Sequence, residues 1–229
     1  MPKYLSTLEE FKKDYLFAET EKKKRDYLAL HPHARLINLG IGDIAEPVSS
    51  YFIKKIQKSA KELSKKNAFK GYPPNTGYDF LKETVQKEEY SHTSVELDEI
   101  FISSGIKQDI CYLTDLFSPE NRAGIQSPSY PVYLDTSKFS GKKTSFLICR
   151  KDQNFKPEIP SFPLDIIFLC SPNNPTGTAL TKKDLKQWVD YAKKHQALII
   201  FDAAYAAYIQ SKDVPKTIYE IPGARDVAI

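Results

Sequence analysis

The sequence predicts an α/β fold: a three-layer arrangement with a mostly parallel sheet covered by helices on both faces. Near-continuous apolar runs such as "DIIFLCS" (165–171) and "ALIIFDAAY" (197–205) read as strands buried on both sides. They alternate with amphipathic segments of helical period, the pattern of strand–helix–strand units. A third observation concerns the strand ends. Ser103-Ser104-Gly105-Ile106-Lys107, Ser127-Pro128-Ser129-Tyr130, Asn173-Asn174-Pro175, and Asp202 with Tyr205 gather most of the uncommon polar residues of this region. In parallel sheets ligands bind outside the C-terminal ends of the strands, so these groups are expected to converge on one edge.

The elements follow in order. Residues 4–30 are charged and read as helical or extended. "RLINLGIGD" begins as a short apolar strand ahead of Gly40 and Gly42. Residues 49–66 read as a surface helix, with Ser49 or Ser50 as cap and Phe52, Ile53, Ile56, Ala60 and Leu63 at helical spacing. "GYPPNTG" (71–77) is a loop, followed by a helix over 78–90. "EIFISSG" (99–105) is a β-rich run ending at Gly105, and "KQDICYLTDLF" (107–117) is helical. "RAGIQSPSYPVY" holds a strand and then a turn bounded by prolines. "TSFLICR" (144–150) is another strand. "TKKDLKQWVDYAKKHQ" (181–196) is a helix capped by Thr181, with Leu185, Trp188, Val189 and Ala192 on one face. "ARDVAI" at the end reads as the start of a further strand.

Composition narrows the function classes. The 229 residues suffice for one large domain or two small ones, and 41% hydrophobic with 27% charged residues is ordinary for a globular protein. The net charge of +4 is a small excess, and lysine runs such as Lys22-Lys23-Lys24 read as solvated faces, so nucleic-acid binding is not called for. Cys111, Cys149 and Cys170 lack metal-ligand spacing and read as reduced core residues of a cytosolic protein, with no metal site expected. No apolar stretch approaches the ~20 residues of a membrane span. The N-terminus has no apolar core of a secretory signal, so a cytoplasmic location is expected.

The strand-end residues suggest a chemistry. Gly105 opens a helix directly after a strand, where free N–H groups favour an anion such as phosphate, although many strand–helix turns carry glycine for structural reasons alone. Tyr130, held between Pro128 and Pro131, could stack on a flat ligand or simply pack in its loop. Asp202 ends an apolar strand with no basic residue near it in sequence. A desolvated carboxylate there needs a partner: a protonated ring nitrogen, a helix N-terminus or a distant lysine. Tyr205 lies three residues on, and Asn174 offers an amide. Together these describe a site for a flat, phosphorylated, nitrogen-containing aromatic cofactor, which fits pyridoxal 5′-phosphate (PLP).

"SPNNPTG" followed by "FDAAY" resembles the fold-type I, class I/II aminotransferases. Within them, "INLGIGD", "GYPPNTG", "ISSGIKQDI" and "SPSYPVYLD" resemble the LL-diaminopimelate aminotransferases, particularly their chlamydial-type branch, from about Tyr15 to Ile229. The resemblance implies the large domain of a PLP-dependent transferase over 49–229, incomplete at its C-terminus, with 1–48 forming an N-terminal arm and part of a small domain. It implies that Ile106 and Lys107 lie in the phosphate-contacting turn and that Tyr130 stacks on the pyridine ring. Asn174 and Tyr205 would bond the ring 3-oxygen, and Asp202 would pair with the ring N1–H. Tyr72 would reach the phosphate of a neighbouring subunit, which implies a homodimer. Tyr15 and Gly42 would line the substrate pocket, with Lys107, Tyr130 and Asn174 also facing the amino-acid substrate.

Two positions depart from the family pattern. Ser104 stands where the family usually has Asp, and Asn75 where it often has an acidic residue for the substrate's distal ammonium. A neutral amide there would bind an ammonium more weakly, which leaves another amino-acid aminotransferase as an alternative. The family anchors its cofactor on a lysine in an S-F-S-K motif, and the sequence stops at Ile229 before such a motif. Lys107, Lys212 and Lys216 are poor substitutes. The expectation is an N-terminal portion without turnover by itself, or else a non-catalytic relic or partner-binding piece.

Overall fold

The computed structural model describes residues 16–40, 42 and 46–229, so Tyr15 lies outside the described residues. Residues 1–74 and 75–229 form two compact units. In the first, helix α1 spans Leu16–Leu30 and helix α2 spans Ser50–Glu62. Ser49 occupies the N-cap of α2 in extended conformation without a side-chain bond to the helix. The helix ends four residues short of the predicted 66 and buries none of its residues. The strand expected from Arg35 does not form: residues 34–39 are irregular.

The second unit carries helix α3 (Asp79–Glu89), helix α4 (Ile106–Asp115) and a parallel sheet. Its strands are β1 (Arg122–Ser127), β2 (Lys143–Ile148), β3 (Ile166–Cys170) and β4 (Leu198–Asp202), in the order β2-β1-β3-β4. Helix α5 (Val132–Phe139) links β1 to β2, and helix α6 (Lys182–His195) links β3 to β4. Every strand pair is parallel. The two faces bury separate cores, as the unbroken apolar strands predict. Ile167, Leu169 and Ile199 pack with Leu185, Trp188 and Val189 of α6. Ile125, Ile166, Phe168 and Ile200 pack with Ile110 of α4 and with Val132 and Tyr133 of α5.

Helix α6 starts where the sequence says it should. Thr181 Oγ1 accepts from the Asp184 N–H, Asp184 Oδ2 accepts from the Thr181 N–H at 2.9 Å, and Lys156 adds an ion pair at 2.7 Å. Other expectations need correction. The run 99–105 is not a strand: Leu97–Glu99 is a short 3₁₀ helix, and the Ile102 N–H bonds the Thr76 carbonyl. Strand-favouring residues there find no ladder, because the sheet's edges are β2 on one side and the β4 side on the other. The Pro-bounded turn after β1 continues into α5. Pro131 supplies a helical φ of −58° at its N-cap, and burial of Val132, Tyr133, Thr136 and Ser137 on one face overrides the local preference of valine and tyrosine for strand. Residues 224–226 form a 3₁₀ turn, after which Val227–Ile229 runs parallel to β4. Cys149 and Cys170 are buried free thiols as expected, while Cys111 is only half-buried. No described helix is long and apolar enough to cross a membrane.

Candidate cofactor site

The strand order reverses direction between β1 and β3. From β1 the chain moves outward to β2, then crosses back to β3 and continues to β4. Such a switch point leaves a crevice at the C-terminal strand ends, since the two connecting helices depart to opposite sides. The β1–β3 ladder stops at Ile125↔Phe168, short of both strand ends. Beyond it, the Gln126 side chain closes the gap: its Oε1 accepts from the Cys170 N–H at 2.6 Å.

The residues predicted at this edge sit as follows. Asp202 ends β4 opposite Cys170 and is only 5% exposed. Its Oδ2 accepts from the Tyr133 hydroxyl at 2.6 Å and its Oδ1 from the Ala204 N–H at 2.9 Å. Both donors are neutral, and no described basic side chain pairs with this carboxylate. Burial, with Cys170 and Asp202 beside it, lifts the Tyr133 phenol far above its ordinary range, so it keeps its proton. Burial also pushes the Cys170 thiol up to about 11, and its Sγ lies 3.2 Å from the Pro172 carbonyl. A buried acid with neutral donors alone keeps a place for a cationic N–H.

Asn174 and Tyr205 meet above the end of β3, with Asn174 Nδ2 3.5 Å from the Tyr205 hydroxyl. They line a cavity of about 450 Å³ with Pro175, Tyr208 and Ile209. Asp202 and Tyr130 do not line it. The paired asparagines divide their work. Asn173 is buried, its Nδ2 donating to the Pro128 carbonyl at 3.1 Å and to Thr176 Oγ1 at 2.9 Å. It ties the loop after β3 to the loop after β1 and leaves Asn174 free to face the crevice.

Tyr130 follows β1, half-buried, with its ring edge-on to Tyr133 at 6.0 Å and 89°. Gly105 precedes α4 with φ +138° and open space around it, a conformation that favours glycine and brings backbone N–H groups to the surface. The α4 residues Ile106 and Lys107 begin the helix and are exposed. Ser103 Oγ donates to Asp109 and accepts from the Gly105 N–H, which shapes this turn. Tyr72 and Gly42 belong to the first unit, where Tyr72 is fully exposed and Gly42 has no neighbour within 4 Å of an added Cβ. Tyr133 and Gln126 escaped the sequence reading, which had Asn173 only among the polar strand-end residues. The one available signal was the three-residue step from Tyr130 to Tyr133, legible only if α5 is a helix.

Residues 34–227 match the family model of aminotransferase class I and II. The chain belongs to the class I and II aminotransferases. Among curated relatives, the LL-diaminopimelate aminotransferase of Bacteroides thetaiotaomicron is 42% identical over 94% of this chain and 56% of that protein. That of Methanosphaera stadtmanae is 41% identical over the same shares. The solved L,L-diaminopimelate aminotransferase from Chlamydomonas reinhardtii superposes with a TM-score of 0.90 at 38% identity, covering 99% of this chain and 59% of that one. The chain therefore spans a little over half the length of the relatives it matches.

Proposed function

We propose that this chain forms the PLP-holding part of an aminotransferase that moves an amino group between LL-2,6-diaminopimelate and 2-oxoglutarate, with tetrahydrodipicolinate as the cyclised keto product. The observation that carries the reading is Asp202: a carboxylate 5% exposed, bonded among the described residues only to neutral donors, and three positions ahead of the Tyr205 that meets Asn174. These residues fit the cofactor's polar edge. When bound, PLP supplies a ring that accepts electrons from the substrate's α-carbon.

This chain's own residues would do the rest. Asp202 holds a proton at the ring nitrogen and so keeps the ring cationic. The Asn174 amide and the Tyr205 hydroxyl donate to the ring 3-oxygen. Tyr130 stacks on the ring and excludes water from one face. The N–H groups of Ile106 and Lys107 bind phosphate at the start of α4, where the helix dipole favours an anion. On this reading Tyr15 and Gly42 contribute to the substrate pocket, with Lys107, Tyr130 and Asn174 at its cofactor side. Tyr72 reaches a second copy's phosphate in a cytoplasmic homodimer. Residues 1–48 are the arm and part of a small domain, and 49–229 belong to the large domain.

None of Lys107, Lys212 and Lys216 is placed by this reading to hold the cofactor covalently, so PLP is expected to bind these residues reversibly. Borohydride treatment of the mixture, followed by peptide mapping, should yield no stoichiometric adduct at a single lysine. One such adduct would overturn the assignment. Asn75, exposed and neutral, makes donor choice a matter for assay of a full-length form, with diaminopimelate compared against other amino acids.

A further inference from the structure

We propose that Tyr133 is a positioning residue that aims the Asp202 carboxylate at the cofactor's ring nitrogen without cancelling its charge. The inference rests on the cofactor reading above and adds a role that reading does not contain. A carboxylate this deeply buried needs donors, and most buried acids find them in lysine or arginine. Asp202 finds a phenol at 2.6 Å and a main-chain N–H at 2.9 Å. A cationic partner would offset the charge that a protonated ring nitrogen needs. A neutral partner orients the acid while leaving its charge available.

The donor itself is rigid. Tyr133 is 1% exposed, and its ring stacks on Phe168 at 5.4 Å and 21°. Its N–H bonds the Tyr130 carbonyl, and the two rings meet edge to face. The Tyr130 ring and the donor to Asp202 therefore sit on one turn of chain, so the ring that would cover the cofactor and the carboxylate that would accept from its ring N–H share a fixed spacing.

The test uses the 229-residue chain with pyridoxamine 5′-phosphate labelled with ¹⁵N in its ring, a probe that lacks the aldehyde and cannot attach to surface lysines. In the unaltered chain the bound ring nitrogen should give the signal of a pyridinium. Tyr133→Phe removes one hydroxyl and keeps the ring. It should weaken binding about tenfold, the scale of one lost hydrogen bond to a charged group, and move the nitrogen signal toward neutral pyridine. Should that variant fail to fold, 3-fluorotyrosine at position 133 keeps the shape and changes only donor strength, and the signal should move with it. An unchanged affinity and nitrogen signal in either substitution overturns the role of Tyr133. Binding that Asp202→Asn abolishes but Tyr133→Phe leaves intact refutes this role alone. No binding by the unaltered chain refutes the cofactor reading and this role with it.

Discussion

Helices α2 and α6 both place apolar residues at helical spacing, yet Leu185, Trp188, Val189 and Ala192 of α6 are buried while Phe52, Ile53 and Ile56 of α2 stay exposed. They differ by one residue in length, 13 against 14. They also differ at their starts. Thr181 and Asp184 close a capping box on α6, whereas Ser49 makes no side-chain bond to α2. Periodicity identifies which face of a helix is apolar. It says nothing about what covers that face, and the free energy comes from the cover.

The contrast can be broken or sharpened by substitution. The largest effect is expected from Trp188→Ala, which empties the centre of the core beneath α6 and should destabilise the second unit by about 3–5 kcal/mol in urea unfolding. A cost under about 1 kcal/mol would mean that α6 is not held by this core. Asp184→Asn should cost about 1 kcal/mol near neutral pH, through a weaker cap and the loss of the Lys156 pair. Burial pulls the Asp184 carboxyl upward, but the bonds from Lys156 and Thr181 outweigh it and hold its pKa below the ordinary range. Its contribution is therefore present above the unfolded value near about 4 and fades as the pH falls through the lower folded value. The gap between the native chain and the variant should close in acid. A gap independent of pH would remove the carboxylate from the explanation. The smallest effect belongs to Ile56→Ala on α2, within about 0.5 kcal/mol. A loss comparable to that of Trp188→Ala would show that α2 acquires a cover in solution.

What was legible in the sequence follows the same division. Buried strands announced themselves because apolar residues on both faces leave no alternative, and α6 did because its cap and its face agree. Asp202 was legible as a charge in the wrong company. Its true partner was not: Tyr133 lies 69 positions away, in a segment that reads locally as a turn. Asn173 reaches Pro128 over 45 positions and Gln126 reaches Cys170 over 44. Such bonds exist only once the strands are adjacent, so no local pattern encodes them. The run 99–105 failed for the converse reason. Its residues favour a strand, but strand structure is a property of a pair.

The Gln126 bond to Cys170 has a consequence for how the crevice breathes. The Cys170 amide is held by a side chain, while its neighbours along β3 depend on main-chain ladders. A carboxamide can swing away by rotation about its own bonds without parting β1 from β3. Hydrogen exchange at the Cys170 amide should therefore be faster than at Phe168 and Leu169, and a ligand resting on the crevice floor should slow it first. That one proton is a gauge of whether the floor is open or shut, readable without any turnover.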